Sequence, residues 1–306
     1  MVTELGARVD MVQTFLIAMM VFWFVACNAV LVYFMVRYRR KGDAPATSNV
    51  KGHHLLEMAW TIIPTVLVVI IFYYGIYVWK DMRTPPEDAM EILVRGQKWS
   101  WSFEYPDGQK SVSDLYVPHG VPVKLLMRSN DVLHSFFIPE FRVKEDVVPS
   151  QYTHLWFQAE KVGSYNIFCT EYCGKDHSAM LGKVHVLDAV KWERFERNEP
   201  LDPEAPPLSP LEHGAKLFSG HGCKSCHSID GASGIGPTFL GLMGREEVLS
   251  DGSKITVDEN YIVESIKYPK RKLVQGYSPE QMSSFEGILS DEDISDIITY
   301  IKSLKP

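Results

Sequence analysis

The chain has 306 residues and a formal net charge of −7, from 31 lysines and arginines against 38 aspartates and glutamates. The length allows two or three domains. The acidic balance excludes the basic footprint of a nucleic-acid-binding protein, and the apolar residues are unevenly spread.

Residues 1–88 read as an N-terminal segment and a transmembrane helical hairpin. No side chain from Met11 to Val36 is charged, and the run from Leu55 to Trp79 is charged only at Glu57. The predicted helices, about 11–36 and 55–79, are each long enough to cross a bilayer. The same runs as buried helices of a soluble protein would be unusually long. Arg37-Tyr38-Arg39-Arg40-Lys41 lies between them, which places the short loop in the cytoplasm. Both termini and everything after Lys80 then lie outside. The first run is too long for a signal-peptide core and lacks a small-residue cleavage site, so it is read as retained. Tyr77 and Trp79 suit an interfacial aromatic belt. Cys27 lies in the first apolar run and is read as packing. Glu57 has two readings, a functional carboxylate at the membrane or a side chain that snorkels into the headgroups from near the helix start.

Residues 89–198 change to a period of two. Val121, Val123, Leu125 and Met127 alternate with more polar neighbours, as do Thr153, Leu155 and Phe157. Gly182 to Leu187 is another short strand. Pro106-Asp107-Gly108 and Val117-Pro118-His119-Gly120 punctuate the pattern. Short strands at this spacing predict a β-sandwich or barrel. Inside it lies the run Cys169-Thr170-Glu171-Tyr172-Cys173-Gly174-Lys175-Asp176-His177-Ser178-Ala179-Met180. Two thiols, an imidazole and a thioether are a soft, copper-type ligand set. The second thiol points to more than one metal ion, and His134 is the candidate for the further imidazole. The competing reading is a Cys169–Cys173 disulfide. The run is predicted to be a loop between the last two strands, with His134 ending an earlier strand.

Residues 199–210 contain five prolines, Pro200, Pro203, Pro206, Pro207 and Pro210, and read as a semi-rigid linker. Residues 211–306 form the last module. A helix beginning near Leu211 runs into Cys223-Lys224-Ser225-Cys226-His227, the Cys-x-x-Cys-His attachment motif for c-type haem. Cys223 and Cys226 would carry the covalent bonds and His227 would be the proximal iron ligand. A zinc site would need a second ligand pair, and no cysteine follows Cys226. Ile294, Ile297, Ile298 and Ile301 recur at helical spacing, as in a last helix packing one apolar face.

Several motifs resemble a known family. Gln97-Lys98-Trp99-Ser100-Trp101-Ser102-Phe103-Glu104-Tyr105, Asp131-Val132-Leu133-His134-Ser135, the cysteine run and Glu57-Met58-Ala59-Trp60-Thr61-Ile62-Ile63-Pro64 resemble subunit II of haem–copper cytochrome c oxidases, in order across residues 10–190. The resemblance implies a cupredoxin-like domain with a dinuclear copper centre, CuA. Its implied ligands are His134, Cys169, Cys173, His177 and Met180 by side chain and Glu171 by backbone carbonyl. It further implies a magnesium role for the Glu171 carboxylate, an electron-entrance role for Trp99, and a proton-channel mouth at Glu57. The last module resembles class I cytochromes c, an all-α fold with the second axial Met in a loop before the last helix. Met282 fits that place, although Ser283 stands where the family has proline. Met243 is close to His227 and reads as core.

With its fused cytochrome domain, the whole resembles subunit II of a caa-type oxidase. The implied function is to pass electrons from a c-type cytochrome or donor complex, through haem c and CuA, to a catalytic subunit I. That subunit, with further oxidase subunits, would reduce oxygen to water and pump protons. The implied location is the inner membrane of a prokaryote, with the copper and haem domains on the outer side. A CuA-type nitric oxide reductase would use such a chain in the same way. A copper-delivery protein is the rival class, but needs an open site with few ligands. Quinol oxidase subunits share the fold and lack the copper ligands.

Overall fold

The computed structural model describes residues 2–42, 51–203, 208–278, 282 and 284–306. Thus part of the loop after Lys41, the middle of the proline-rich linker, and Ser283 lie outside the described residues. The chain divides into two compact units, the first covering residues 3–84 and the second 85–306.

The first unit is a pair of long helices, α1 (Glu4–Arg37) and α2 (His54–Arg83). Each extends beyond its uncharged run, because polar ends cap it. Thr3 accepts a hydrogen bond from the Gly6 N–H, and Arg8 pairs with Asp81 of the other helix at 2.5 Å. Pro64 lies within α2. Thr61 and Thr65 donate to the carbonyls of Glu57 and Thr61, at 2.9 and 2.7 Å, so their polar groups are satisfied along the helix. Most of the large apolar side chains of both helices are exposed, among them Phe24 at 71% and Val36 at 72%. Such faces suit lipid or neighbouring apolar helices. Cys27 is on such an exposed face too.

The second unit begins with ten strands in two sheets. The first sheet has the order β3-β2-β1-β5-β8, from β1 (Met90–Gln97), β2 (Ser100–Glu104), β3 (Lys110–Val112), β5 (Pro122–Ser129) and β8 (Thr153–Gln158). The second has the order β4-β10-β9-β6-β7, from β4 (Asp114–Pro118), β6 (His134–Ile138), β7 (Val143–Val147), β9 (Gly163–Cys169) and β10 (Leu181–Leu187). Alternation drives one face of each strand inward. On β5, Val123, Leu125 and Met127 are fully buried while their neighbours are not. Trp101, Phe103, Phe136, Phe141 and Phe157 fill the core between the sheets. The short helix α3 (Ala189–Glu196), capped by Asp188, closes the sandwich by setting Phe195 against Tyr105 and Tyr116, each at 5.0 Å.

The remaining module is mainly helical. Its helices are α4 (Pro210–Gly220), α5 (Glu259–Lys267) and α6 (Asp291–Ser303). Ser209 with Glu212, and Ser290 with Asp293, form capping boxes at the starts of α4 and α6, which satisfy otherwise orphaned backbone donors. Helices α4 and α6 cross at Gly214, where an added Cβ would come within 2.0 Å of the Asp296 carbonyl oxygen. Ile294, Ile297, Ile298 and Ile301 join Leu242, Val257, Ile262, Ile266 and Leu289 in one core, as their spacing predicts. A two-stranded ribbon, β11 (Glu246–Val248) and β12 (Lys254–Thr256), adds an element that helical periodicity could not announce.

Candidate copper and haem sites

The copper-type residues meet at one end of the second sheet. Strands β6 and β9 pair antiparallel with Phe136 opposite Cys169. This register brings His134 beside the start of the cysteine run. The run itself loops between β9 and β10, as expected. His134 opens β6 instead of ending a strand, because residues 130–133 turn around the Asp131 side chain. One Asp131 oxygen accepts from the Val132 N–H at 2.7 Å, and the other from the Lys98 N–H at 2.9 Å.

Six donor groups converge there. Cys169 Sγ lies 3.9 Å from His134 Nδ1, 3.8 Å from Cys173 Sγ and 3.3 Å from the Glu171 carbonyl oxygen. Cys173 Sγ lies 3.5 Å from His177 Nδ1 and 3.8 Å from Met180 Sδ. Both cysteines are free thiols, which contradicts the disulfide reading. His134 and Met180 are fully buried. His134, Cys169 and Cys173 offer ligand atoms that all lie within 4.8 Å of one another. Two soft sulfurs, two imidazoles, a thioether and a carbonyl form a donor set suited to copper.

The electrostatics favour a thiolate. Burial pushes the Cys169 pKa up, but hydrogen bonds from His134 and the backbone more than offset it, and the net shift is down to about 7. Burial and the neighbouring Cys169 push Cys173 up to about 12. Two adjacent thiolates therefore repel one another unless a cation lies between them. Asp131 supports the set from behind, with its Oδ1 2.8 Å from His134 Nε2. Burial opposes the charge on Asp131, but His134 and the two backbone donors hold its pKa below the usual carboxylate value. Sequence reasoning missed this carboxylate. Its signal was an aspartate three residues before a candidate ligand histidine, in a turn.

The Cys-x-x-Cys-His residues line a second, apolar cavity. Cys223, Cys226, His227, Ile235, Phe239, Phe285 and Met282 face it. The His227 Nδ1–H donates to the Pro237 carbonyl at 2.7 Å, and the ring stacks on Phe239 at 4.3 Å. The Nε2 lone pair is left for a ligand. Gly236 makes room for the ring, since a Cβ there would come within 2.5 Å of His227 Cε1. His221 Nδ1 is buried with no hydrogen-bond partner among the described residues, an orphan polar atom in the cavity wall. Burial pushes the Cys223 and Cys226 thiols up to about 12 and 11, so both are neutral. These residues fit a covalently held haem. Met282 and Met243 both pack against the isoleucine core, and of the two Met282 also lines the cavity.

Trp99 lies between the two sites. A Cβ on Gly174, in the cysteine run, would meet Trp99 Cζ2 at 3.2 Å. On the other side, a Cβ on Gly222, next to Cys223, would lie 4.0 Å from the Trp99 carbonyl oxygen and 3.9 Å from Ser100 Cβ. Lys98, Trp99 and Ser100 also line the haem-type cavity. Glu57 is at the start of α2. Its Oε1 accepts from the His53 N–H at 3.2 Å, and Oε2 is 3.6 Å from His54 Nδ1. In this structure it is a helix-capping group.

Comparison with known proteins adds a chain-wide match. Residues 6–78 match the transmembrane domain of cytochrome c oxidase subunit II, 110–187 match its periplasmic domain, and 211–305 match cytochrome c. A cytochrome c oxidase subunit 2 from Alkalihalophilus pseudofirmus is 31% identical over 90% of this chain and 81% of its own length. The chain belongs to the cytochrome c oxidase subunit II family. The cytochrome c oxidase subunit 2 of Bacillus subtilis is 27% identical over 90% of this chain and 82% of its own length. An alternative cytochrome c oxidase subunit 2 from Bradyrhizobium diazoefficiens is 34% identical over 54% of this chain and 70% of its own length. As a subunit II with a fused cytochrome c domain, the chain is an electron-accepting component of a haem–copper oxidoreductase. Its family domains imply copper in the β module and haem in the helical one. Its two apolar helices and periplasmic-type domain fit a membrane protein.

Proposed function

We propose that this subunit II takes electrons from a c-type cytochrome or similar donor at its own haem c and passes them through CuA to a catalytic subunit I. That subunit reduces oxygen to water and the complex pumps protons. The observation that carries the reading is the position of Trp99, against Gly174 of the cysteine run and beside Gly222 of the haem-attachment loop.

The bound copper pair and haem supply one-electron transfer. The chain's residues hold them and define the path. His134, Cys169, Cys173, His177 and Met180 would hold copper by side chain, with Glu171 by its carbonyl. Met180 and His134 exclude water by complete burial, and Asp131 fixes the His134 ring. A partner behind a ligand histidine sets its tautomer and basicity. Cys223 and Cys226 would hold the haem covalently, and His227 and Met282 would ligate its iron. The Pro237 carbonyl orients His227. Tethering the haem domain to the copper domain replaces a diffusive encounter with an intramolecular one.

The Glu171 carboxylate remains available to a magnesium ion at the boundary with subunit I, since a carboxylate suits a hard cation. Glu57 stands at the mouth of a proton channel in that subunit, and its cap contact holds the carboxylate at the helix start. The chain belongs in the cell membrane of a prokaryote, with both termini and both redox domains on the outer side. The test is optical and EPR spectroscopy of the purified complex with single-turnover kinetics. A mixed-valence dicopper signal, a low-spin c-type haem, and haem oxidation matched by copper reduction are expected. One copper per chain would refute the dinuclear assignment.

A further inference from the structure

His221 ends α4, where its N–H donates to the Leu217 carbonyl at 2.9 Å. Its ring meets Phe285 edge to face at 6.2 Å, and its Nδ1 is buried with no hydrogen-bond partner among the described residues. Burial holds its pKa below the usual histidine value, and Asp293 of α6 and Asp114 of β4 offset this only in part. The ring is therefore a neutral imidazole, able to carry its proton on Nδ1. A buried polar nitrogen left unpaired is costly and calls for a partner or a functional role.

A partner is close on the copper domain. His221 and Gly222 line the same cavity as Lys98, Trp99 and Ser100. Gly222 has a φ of 72°, a backbone shape that favours glycine, and a Cβ there would lie 4.0 Å from the Trp99 carbonyl oxygen. The two domains thus approach backbone to backbone at this point. Asp176 of the copper-ligand run also bears on Cys226, adding to the burial that raises this thiol's pKa. The turn that carries the Trp99 carbonyl is fixed from the copper side. The Lys98 N–H donates to Asp131 Oδ2 at 2.9 Å, and Asp131 Oδ1 lies 2.8 Å from His134 Nε2. A group that bonds the Trp99 carbonyl is thereby joined to a candidate copper ligand through Lys98 and Asp131.

We propose that His221 is a positioning residue for haem-to-copper electron transfer: its Nδ1–H donates to the Trp99 carbonyl, directly or through one water, when the haem-attachment loop closes on the copper domain. The proposal rests on the haem-to-copper reading above. A carbonyl only accepts, so the bond fixes the proton on Nδ1. Closing it satisfies the orphan nitrogen and shortens the gap that electrons cross. A single weak latch is enough between tethered domains, because their encounter is intramolecular.

The test uses the intact oxidase loaded with haem and copper. His221→Phe keeps a ring against Phe285 and removes the N–H, while His221→Asn keeps an N–H near the place of Nδ1. Flash photolysis reads the haem-to-copper rate. The relaxation of the copper EPR signal by ferric haem reads the spacing of the two centres. His221→Phe should slow haem-to-copper transfer by up to about tenfold, the reach of one neutral hydrogen bond, and weaken the relaxation enhancement. His221→Asn should restore both toward wild type. The donor-to-haem rate and the low-spin haem spectrum should match wild type in both variants. Wild-type rate and relaxation in His221→Phe would overturn the proposal. Equal losses in the two variants would also overturn it, since the ring would then act by packing alone. If wild-type haem accepts electrons and copper does not, the relay reading fails, while the relaxation readout still decides whether His221 holds the domains together.

Discussion

The Nδ1–H of His227 donates to the carbonyl oxygen of Pro237 at 2.7 Å. That bond fixes the tautomer and leaves Nε2 as the acceptor atom facing the cavity. Gly236, directly before Pro237, leaves the space in which the ring lies. Gly236→Ala would press a methyl group on His227, an overpacking cost of about 1–3 kcal/mol. The expected outcome is a displaced imidazole. The low-spin haem spectrum should weaken and the thermal midpoint fall, while copper content stays at wild type.

The two methionines of the cytochrome module have different surroundings. Both pack against the isoleucine core, but only Met282 also lines the cavity. Met282→Ala should abolish the Met–iron charge-transfer band. Met243→Ala, at a partly buried position, should retain the band and lower stability by about 0.5–3 kcal/mol. Optical spectra and thermal melts of the two variants check this, and the reverse pattern would exchange their roles.

The thiols of Cys169 and Cys173 are 3.8 Å apart. With both proposed as copper ligands, Cys169→Ser should remove the mixed-valence EPR signal and reduce copper below two ions per chain. Asp131→Asn keeps the shape but weakens the support behind His134. A change at such a supporting partner lowers metal affinity about 10–100-fold, measurable by copper chelation titration.

Gly174 lets the Trp99 ring approach the copper-ligand loop. An added Cβ at Gly174 would be close to the ring at 3.2 Å, and the residue also has a φ of 128°, which only glycine adopts without strain. Gly174→Val should slow haem-to-copper transfer more than it changes donor-to-haem transfer. Flash photolysis separates the two steps, and an equal effect on both would place Trp99 off the path.

Glu57 caps α2 through the His53 N–H. Glu57→Gln preserves an acceptor for that bond but removes the negative charge. If Glu57 is a proton-channel residue, proton uptake should slow while the copper spectrum is unchanged. Normal turnover in the variant would leave the cap as its role.

Much of the molecule is legible in local spacing. The uncharged runs of Met11–Val36 and Leu55–Trp79 indicate the paired helices, because membrane crossing is a matter of length and composition. The strand alternation of Val123, Leu125 and Met127 and the isoleucine stripe of α6 indicate buried faces, because each period matches one backbone geometry. Strand ends are less legible. His134 opens a strand because Asp131 organises the turn before it, and side-chain contacts of that kind leave little trace in periodicity.

The sequence by itself determined the candidate chemistry: soft donors at Cys169, Cys173, His177 and Met180, the Cys-x-x-Cys-His cysteines Cys223 and Cys226, and the order of the modules. These signals lie within a few residues of one another. Only the tertiary structure decided which distant groups meet. His134 reaches Cys169, thirty-five positions away in the chain, through the β6–β9 register, and a one-residue slip would turn it to the opposite face. Trp99 stands between Gly174 and Gly222 because sheet pairing and domain packing place three separate loops together. Such proximity depends on long-range register and close packing, which no local window of sequence contains.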